Sequence, residues 1–234
     1  MGCSEGVRES LLKLGFPADR TIVIDNGIEF APFESVDMQP VVQRDASIMM
    51  VARFGKQKDH VTLIQAMAEL RDRGLTPTLK LAGGGKAPHR KVAEKTVKTL
   101  KLENQVEFLG IVRDVPAQLM QTRITVLSSR YEGMPLAVIE GMAAGCAVIG
   151  TRVPGIQEVI ADRVNGLLVE PLDPISLADA LERALVEDEL VERIASTARK
   201  DAMKKYSLYR MNSDYAALFR QLMLEASNAR NSRR

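Results

Sequence analysis

From Ile48 onward, short apolar runs alternate with longer segments of helical period, and no other feature of the chain limits its fold so tightly. Ile48-Met49-Met50-Val51-Ala52 reads as a buried strand, followed by a helix in which Leu63, Met67 and Leu70 recur at i, i+4 and i+7. Asp59 stands where that helix needs a cap. The pattern then repeats: strand Leu79 to Ala82, helix Pro88 to Leu100, strand Val106 to Leu109, short helix Val115 to Met120, strand Ile124 to Leu127, helix Leu136 to Ala144, strand Ala147 to Ile149. Strands separated by helices pair in parallel through right-handed crossovers, which predicts a doubly wound α/β domain with helices on both faces of the sheet.

The flanks differ. Ahead of the core lie a helix from Glu5 to Leu14, a strand from Thr21 to Ile24 and an Asn26-Gly27 turn, then an aperiodic stretch from Phe30 to Asp45 that reads as a crossing linker. Behind it come three helical stretches, Ile175 to Leu185, Leu190 to Lys204 and Leu208 to Leu224. In the last, Leu208, Met211, Tyr215, Leu218 and Leu222 form a narrow apolar seam that needs a partner surface. The expected division is an interdomain segment and linker over 1–46, a ligand-binding domain over 47–207, and a C-terminal helix and tail over 208–234.

With 46% apolar residues, 26% charged residues and a net charge of +2, the chain has the composition of a soluble globular protein, which excludes wholesale disorder and collagen-like repeats. Cys3 and Cys146 are too few for a disulfide scaffold, and a reducing compartment, the cytoplasm, is expected. The most apolar stretch, Pro135 to Gly150, is interrupted by Glu140 and is too short to span a bilayer. Met1-Gly2-Cys3 begins like an acylation signal, but Gly6 stands where that signal needs Ser or Thr.

The chemistry concentrates in Arg130 to Gly145. Gly133, Met134 and Pro135 lead into an apolar helix beginning at Leu136, an arrangement that leaves first-turn amides and the helix dipole converging on one point suited to an anion. Glu132 stands just outside that helix start. Glu140 lies on its second turn in otherwise apolar surroundings, where a carboxylate is costly without a hydrogen-bonding partner. A second cluster is Arg53, Lys56 and Lys58 beyond the first core strand, at the kind of strand end where open α/β sheets bind ligands. A third is Gly83-Gly84-Gly85, which lacks both the third glycine of a dinucleotide fingerprint and the Lys-Ser/Thr of a P-loop.

Together, Arg53 and Lys58, Gly83 to Gly85, Phe108-Leu109-Gly110, the Glu132 and Glu140 pair, and Gly155-Ile156-Gln157-Glu158 resemble the retaining GT-B glycosyltransferases of family four. Ser4 to Arg8 and Asn26-Gly27-Ile28 are similar to that family's interdomain stretch. The resemblance covers nearly the whole chain but only the carboxyl-terminal, donor-binding half of such an enzyme, a Rossmann-like half of a GT-B fold with extra C-terminal helices.

The resemblance implies that Glu140 hydrogen-bonds the ribose of a UDP- or GDP-linked sugar. It implies that Glu132 contacts the donor sugar, that the amides of Gly133, Met134, Pro135 and Leu136 lie at the phosphate end, and that Gly83 lies close to the donor. Arg53 and Lys58 would grip the diphosphate and stabilise the charge that develops there as the glycosidic bond breaks. Gly110, Val112 and Arg113 would seat the base. No metal and no cofactor beyond the donor substrate are expected. The departing phosphate would itself take the acceptor's proton. An N-terminal acceptor domain is expected as the partner of the last helix, which alone would be partly exposed or self-associated. Contact with the cytoplasmic membrane face would belong to the full enzyme. Two positions depart from the pattern: Asp59 follows Lys58 where the family often has Gly, and Glu29 follows Ile28; neither is expected to touch the chemistry.

Other classes fit less well. No Asp-x-Asp occurs, only His60 and His89 are present, and no Gly-x-Ser-x-Gly elbow exists, which argues against metal-dependent transfer, a histidine zinc site and acyl chemistry. The incomplete glycine fingerprint disfavours an oxidoreductase. The alternative from another class is a module that binds nucleic acid or acidic lipid through Lys91, Lys95 and Lys98 on one helix face, near Lys86, His89, Arg90 and Lys101. Glu94 and Glu103 dilute that patch, no aromatics interleave, and a solvated face is the simpler reading, so no nucleic-acid partner is expected.

Overall fold

The structure is a computed structural model that describes residues 1–34 and 38–231. Residues 35–37 of the expected linker and 232–234 of the expected tail lie outside the described residues. Among the described residues, six strands form one sheet: β1 (Asp45–Val51), β2 (Leu79–Ala82), β3 (Val106–Gly110), β4 (Thr122–Leu127), β5 (Ala147–Thr151) and β6 (Leu167–Val169). Every pairing is parallel, in the order β3-β2-β1-β4-β5-β6. This is the doubly wound sheet expected from the alternation. The strand order reverses between β1 and β4, which places a crevice beyond their carboxyl ends.

The helices are α1 (Glu5–Lys13), α2 (His60–Asp72), α3 (Ala87–Thr99), α4 (Val115–Gln121), α5 (Leu136–Ala143), α6 (Pro174–Val186), α7 (Asp188–Lys205) and α8 (Leu208–Asn231), close to the expected segments except that α8 runs seven residues past Leu224. In the flanking layers α2 packs on α3 and α6, and α5 packs on α4 and α7. Ile48, Met49 and Met50 of β1, Leu63, Ile64 and Met67 of α2, and Ile139 and Met142 of α5 are fully buried in one continuous core. Each such side chain contributes about 1.5–3 kcal/mol by leaving water. The buried surface of α2 exceeds the Leu63, Met67, Leu70 stripe, since Thr62, Ile64, Ala66 and Ala68 are buried too.

Four sequence expectations need correction. β6 has no counterpart among the expected strands, because Leu167–Val169 is too short to show a period. Thr21 to Ile24 is not a regular strand; the segment makes one bridge, Gly2 to Val23, with Ile24 N donating to Gly2 O at 3.0 Å. Asn26-Gly27 does not form the expected turn. Gly27 has no positive φ, and a Cβ there would overlap the Ser207 carbonyl, where Ile28 N donates to Tyr206 O and Leu208 N to Ile28 O. Its glycine serves a close crossing of two chain segments. The described parts of the aperiodic stretch before β1 are packed on the domain: Phe33 and Val41 are buried, and the buried Arg44 donates to the carbonyls of Ala144 at 3.0 Å and Thr122 at 3.3 Å.

The start of α8 is bound to the body through Arg210, which donates to Asp25 O at 2.7 Å and pairs with Asp214. Its seam residues Met211, Tyr215 and Leu218 are half-buried and Leu222 is exposed, as are Phe219 and Met223 further along. No helix is long and apolar enough to cross a membrane among the described residues.

Candidate functional site

The crevice at the strand-order reversal receives one loop from each side. From β1 comes the segment Arg53 to Lys58, and from β4 comes Ser128 to Glu132. They meet in an ion pair: Lys58 Nζ donates to Glu132 Oε1 at 2.5 Å, with the Glu132 side chain only 7% exposed. Two residues singled out for separate reasons are thus in direct contact.

Backbone and polar side chains bind the two loops together. Arg130 N donates to Gln57 O at 2.8 Å, and Gln57 Nε2 donates to Tyr131 O at 2.8 Å. Ser128 Oγ lies 3.2 Å from Lys58 O and 3.1 Å from Asp59 O. Arg53, Phe54, Gly55, Lys58, Lys86 and Tyr131 contribute to the walls of a cleft of about 290 Å³ between these loops and the start of α3. Arg53 is exposed and carries no ion pair among the described residues, whereas Lys58 is paired with Glu132.

Asp59 does not cap α2 through its side chain. It occupies the N-cap position in the left-handed region at φ 49° and ψ 52°, and its carboxylate turns to Thr62 Oγ1 at 2.8 Å and Arg130 Nη2 at 3.2 Å. Behind it the imidazole of His60 stacks on Phe54 at 4.3 Å between centroids, and Phe54 stacks on Phe108 at 5.9 Å. Burial pushes the His60 pKa down to about 4, despite a hydrogen bond to the Ala52 backbone and the nearby Asp59 charge. The ring is therefore neutral at pH 7 and serves as the floor of the basic loop.

Gly83 lies against the Ala52–Arg53 backbone, and its N–H donates to Gly110 O at 2.7 Å, so Arg53, Gly83 and Gly110 gather at the ends of β1, β2 and β3. Beyond Gly110, Val112 packs on the core while Ile111 and Arg113 are exposed.

On the other side, Gly133 faces Cys3 and Val7 of the N-terminal segment. Met134 is held from both its ends: Asn26 Nδ2 donates to its carbonyl at 3.0 Å and Asn26 N to its sulfur at 3.1 Å. Pro135 sits at the N-cap of α5, which has no side-chain cap, and Leu136 is exposed. Of the first-turn amides of α5, Val138 N donates to Pro135 O at 3.2 Å, and none is capped by the N-cap side chain.

Glu140 is not among the residues lining the cleft. It is half-buried on α5, next to Gly141, which packs on Thr125 of β4. Desolvation raises its pKa, and no opposite charge among the described residues offsets the rise. The expected hydrogen-bonding partner is not supplied by any described residue of this chain. Lys91, Lys95 and Lys98 are exposed along α3, where Arg90 pairs with Glu94 at 2.9 Å and lies over the Phe108 ring. No cluster of His, Cys, Asp and Glu suited to a metal ion occurs among the described residues.

Gln57, Asp59 and Ser128 were not anticipated as parts of the site, and Arg130, the first residue of the stretch singled out, was given no role there. The only sequence signal was the residue after Lys58, where a position often occupied by glycine carries an acid.

Comparison with known proteins places the chain in a family. Residues 36–201 match the family model described as glycosyl transferases group 1. The chain is 31% identical over 179 residues to the α-D-kanosaminyltransferase of Streptomyces kanamyceticus, covering 76% of this chain and 46% of that protein. It is 28% identical over 190 residues to the N-acetyl-α-D-glucosaminyl L-malate synthase of Bacillus anthracis, covering 81% of this chain and 49% of that protein. The chain spans about half the length of these curated relatives. Among solved structures, Anabaena HepE in complex with UDP and glucose superposes with a TM-score of 0.86 at 22% identity, over 93% of this chain and 61% of that one. The C-terminal domain of a group 1 family protein, LpcC from Francisella tularensis, superposes with a TM-score of 0.67 at 27% identity, over 78% of this chain and 100% of that one.

Proposed function

Because the chain belongs to the group 1 glycosyl transferases, we propose that it is the donor-binding domain of a retaining enzyme that moves a hexose-type sugar from a nucleoside diphosphate to a glycan or lipid-linked acceptor. The observation that carries this reading is the meeting of Lys58 and Glu132 at the crevice where the strand order reverses. In open α/β sheets that crevice is where nucleotides bind. A structural neighbour carries UDP and glucose, which makes a uridine nucleotide the first candidate for the donor.

In this reading the diphosphate lies between the basic loop and the uncapped start of α5. Lys58 and the exposed Arg53 stabilise the charge that builds on the diphosphate as the bond from the sugar's anomeric carbon to oxygen lengthens. Glu132, released in part from Lys58 by the bound anion, turns to the donor sugar. Glu140 accepts hydrogen bonds from the ribose hydroxyls, which gives its half-buried carboxylate the partner that no described residue provides. Gly110, Val112 and Arg113 flank the base. The departing phosphate oxygen takes the acceptor's proton, so no side-chain base, metal or further cofactor is required. We assign acceptor binding to the other half of such enzymes and location to the cytoplasm, with any membrane contact made by the whole enzyme.

Calorimetric titration of the chain with UDP, GDP and ADP tests this. One nucleotide should bind clearly, and Glu140→Ala should weaken it at least about tenfold, the cost of a lost hydrogen bond to a charged group. Equal binding by parent and variant would remove Glu140 from the site.

A further inference from the structure

The residue after Lys58 is an aspartate held in a backbone conformation that favours glycine. At φ 49° and ψ 52° its Cβ crowds its own carbonyl, a cost that L side chains seldom bear without compensation. The compensation is visible. The Asp59 side chain is 3% exposed, one carboxylate oxygen accepts from Thr62 Oγ1 at 2.8 Å, and the other faces Arg130 Nη2 at 3.2 Å. Arg130 belongs to the opposite loop, two residues before Glu132, and its own amide is bound to Gln57 O. The loop that carries Lys58 and the loop that carries Glu132 are therefore joined by a second ion pair, one residue from the first on one side and two on the other.

From this we propose that Asp59 and Arg130 form a clasp that positions Lys58 for the donor diphosphate, and that both are positioning residues for the site described above. The inference rests on the donor-binding reading. Lys58 has a flexible stem, and its ammonium reaches Glu132 only while the two loop backbones keep their spacing. The Arg130 amide, bound to Gln57 O, and the Ser128 hydroxyl, bound to Lys58 O, hold one edge of the loop. The clasp holds the turn into α2, directly after Lys58. A bound anion draws Lys58 away from Glu132, and at that point Asp59–Arg130 is the charged link that still spans the crevice.

Asp59→Gly separates positioning from stability. Glycine accepts the left-handed conformation without strain while deleting the carboxylate, and relief and loss act in opposite directions. The melting temperature should then stay within about 3 °C of the parent, since about 1 kcal/mol moves a chain of this size by that much. Affinity for whichever of UDP, GDP or ADP the parent binds should fall about fivefold. Arg130→Gln should give a similar loss, and the double variant should be no worse than either single one, because the two residues act through one contact.

Either single variant binding as tightly as the parent, or losses that add in the double variant, would overturn the clasp alone. Affinity lost only in step with a falling melting temperature would overturn it as well, by reducing Asp59 to a fold residue. A parent that binds none of the three nucleotides would overturn the donor-binding reading and the clasp together.

Discussion

Gly155 lies directly against Glu132. A Cβ built on Gly155 would stand 2.8 Å from the Glu132 carbonyl oxygen and would overlap the Gly133 carbonyl, and its φ of +79° lies in the region that disfavours side chains. The loop after β5 thus supports the backbone from which Glu132 projects. On its far side Glu158 accepts from the amides of Glu5 and Gly6 at 2.7 and 2.8 Å, which fixes the start of α1 to the same loop.

Gly155→Ala should therefore lower stability by about 2–3 kcal/mol through backbone strain and steric overlap. Urea denaturation measures that cost. The same variant should weaken nucleotide binding, because the displaced atoms belong to the Glu132–Gly133 backbone. A variant with parental stability and affinity would show that the two loops are not in contact.

Glu140 predicts a conflict between stability and binding. Its folded pKa is raised by burial above the ordinary 4.5, so the folded state holds the proton more tightly than the unfolded chain. The contribution to stability is then fully present below about pH 4.5 and is lost as pH rises through the elevated folded value. Glu140→Gln, which cannot ionise, should be at least as stable as the parent at pH 7 without nucleotide, yet bind nucleotide more weakly. Parental binding should also decline as pH falls through the folded pKa of Glu140. Denaturation curves at pH 4 and pH 7, paired with titrations, test both signs.

His60 acts in the opposite sense. Burial depresses its folded pKa to about 4 from 6.5, so protons bind more tightly to the unfolded chain between those values. Its contribution is present above pH 6.5 and is lost as pH falls toward 4, with a slope of up to about 1.4 kcal/mol per pH unit. His60→Phe keeps a ring against Phe54 and removes the titration. The variant's stability should change less than the parent's between pH 6.5 and pH 4.5. A parent and variant with the same pH dependence over that interval would refute the assignment.

Much of the fold was legible because periodicity is a local property. The strands at Ile48, Leu79, Val106, Ile124 and Ala147, and the helices between them, carry apolar residues at spacings that any parallel α/β packing must bury. β6 was not, since three residues carry no period, and neither was the packed course of Phe33, Val41 and Arg44 ahead of β1, whose partners lie about a hundred residues away. The Asn26-Gly27 pair misled because the usual signature of a turn coincides with that of a close chain crossing, and only Ser207 distinguishes them.

The sequence by itself determined the layered architecture, the strand ends at which chemistry could gather and the residue types present there, because propensity and hydrophobic spacing act over a few residues. Which of those residues meet was decided only in three dimensions. Lys58 and Glu132 are 74 positions apart, and Asp59 and Arg130 are 71. Their contact depends on β1 and β4 lying side by side with their carboxyl ends level, and that pairing is stabilised by the burial of the whole sheet between its helices. An ion pair between loops so far apart in the chain forms only after the non-local burial that brings the strands together, so its geometry is a consequence of tertiary packing.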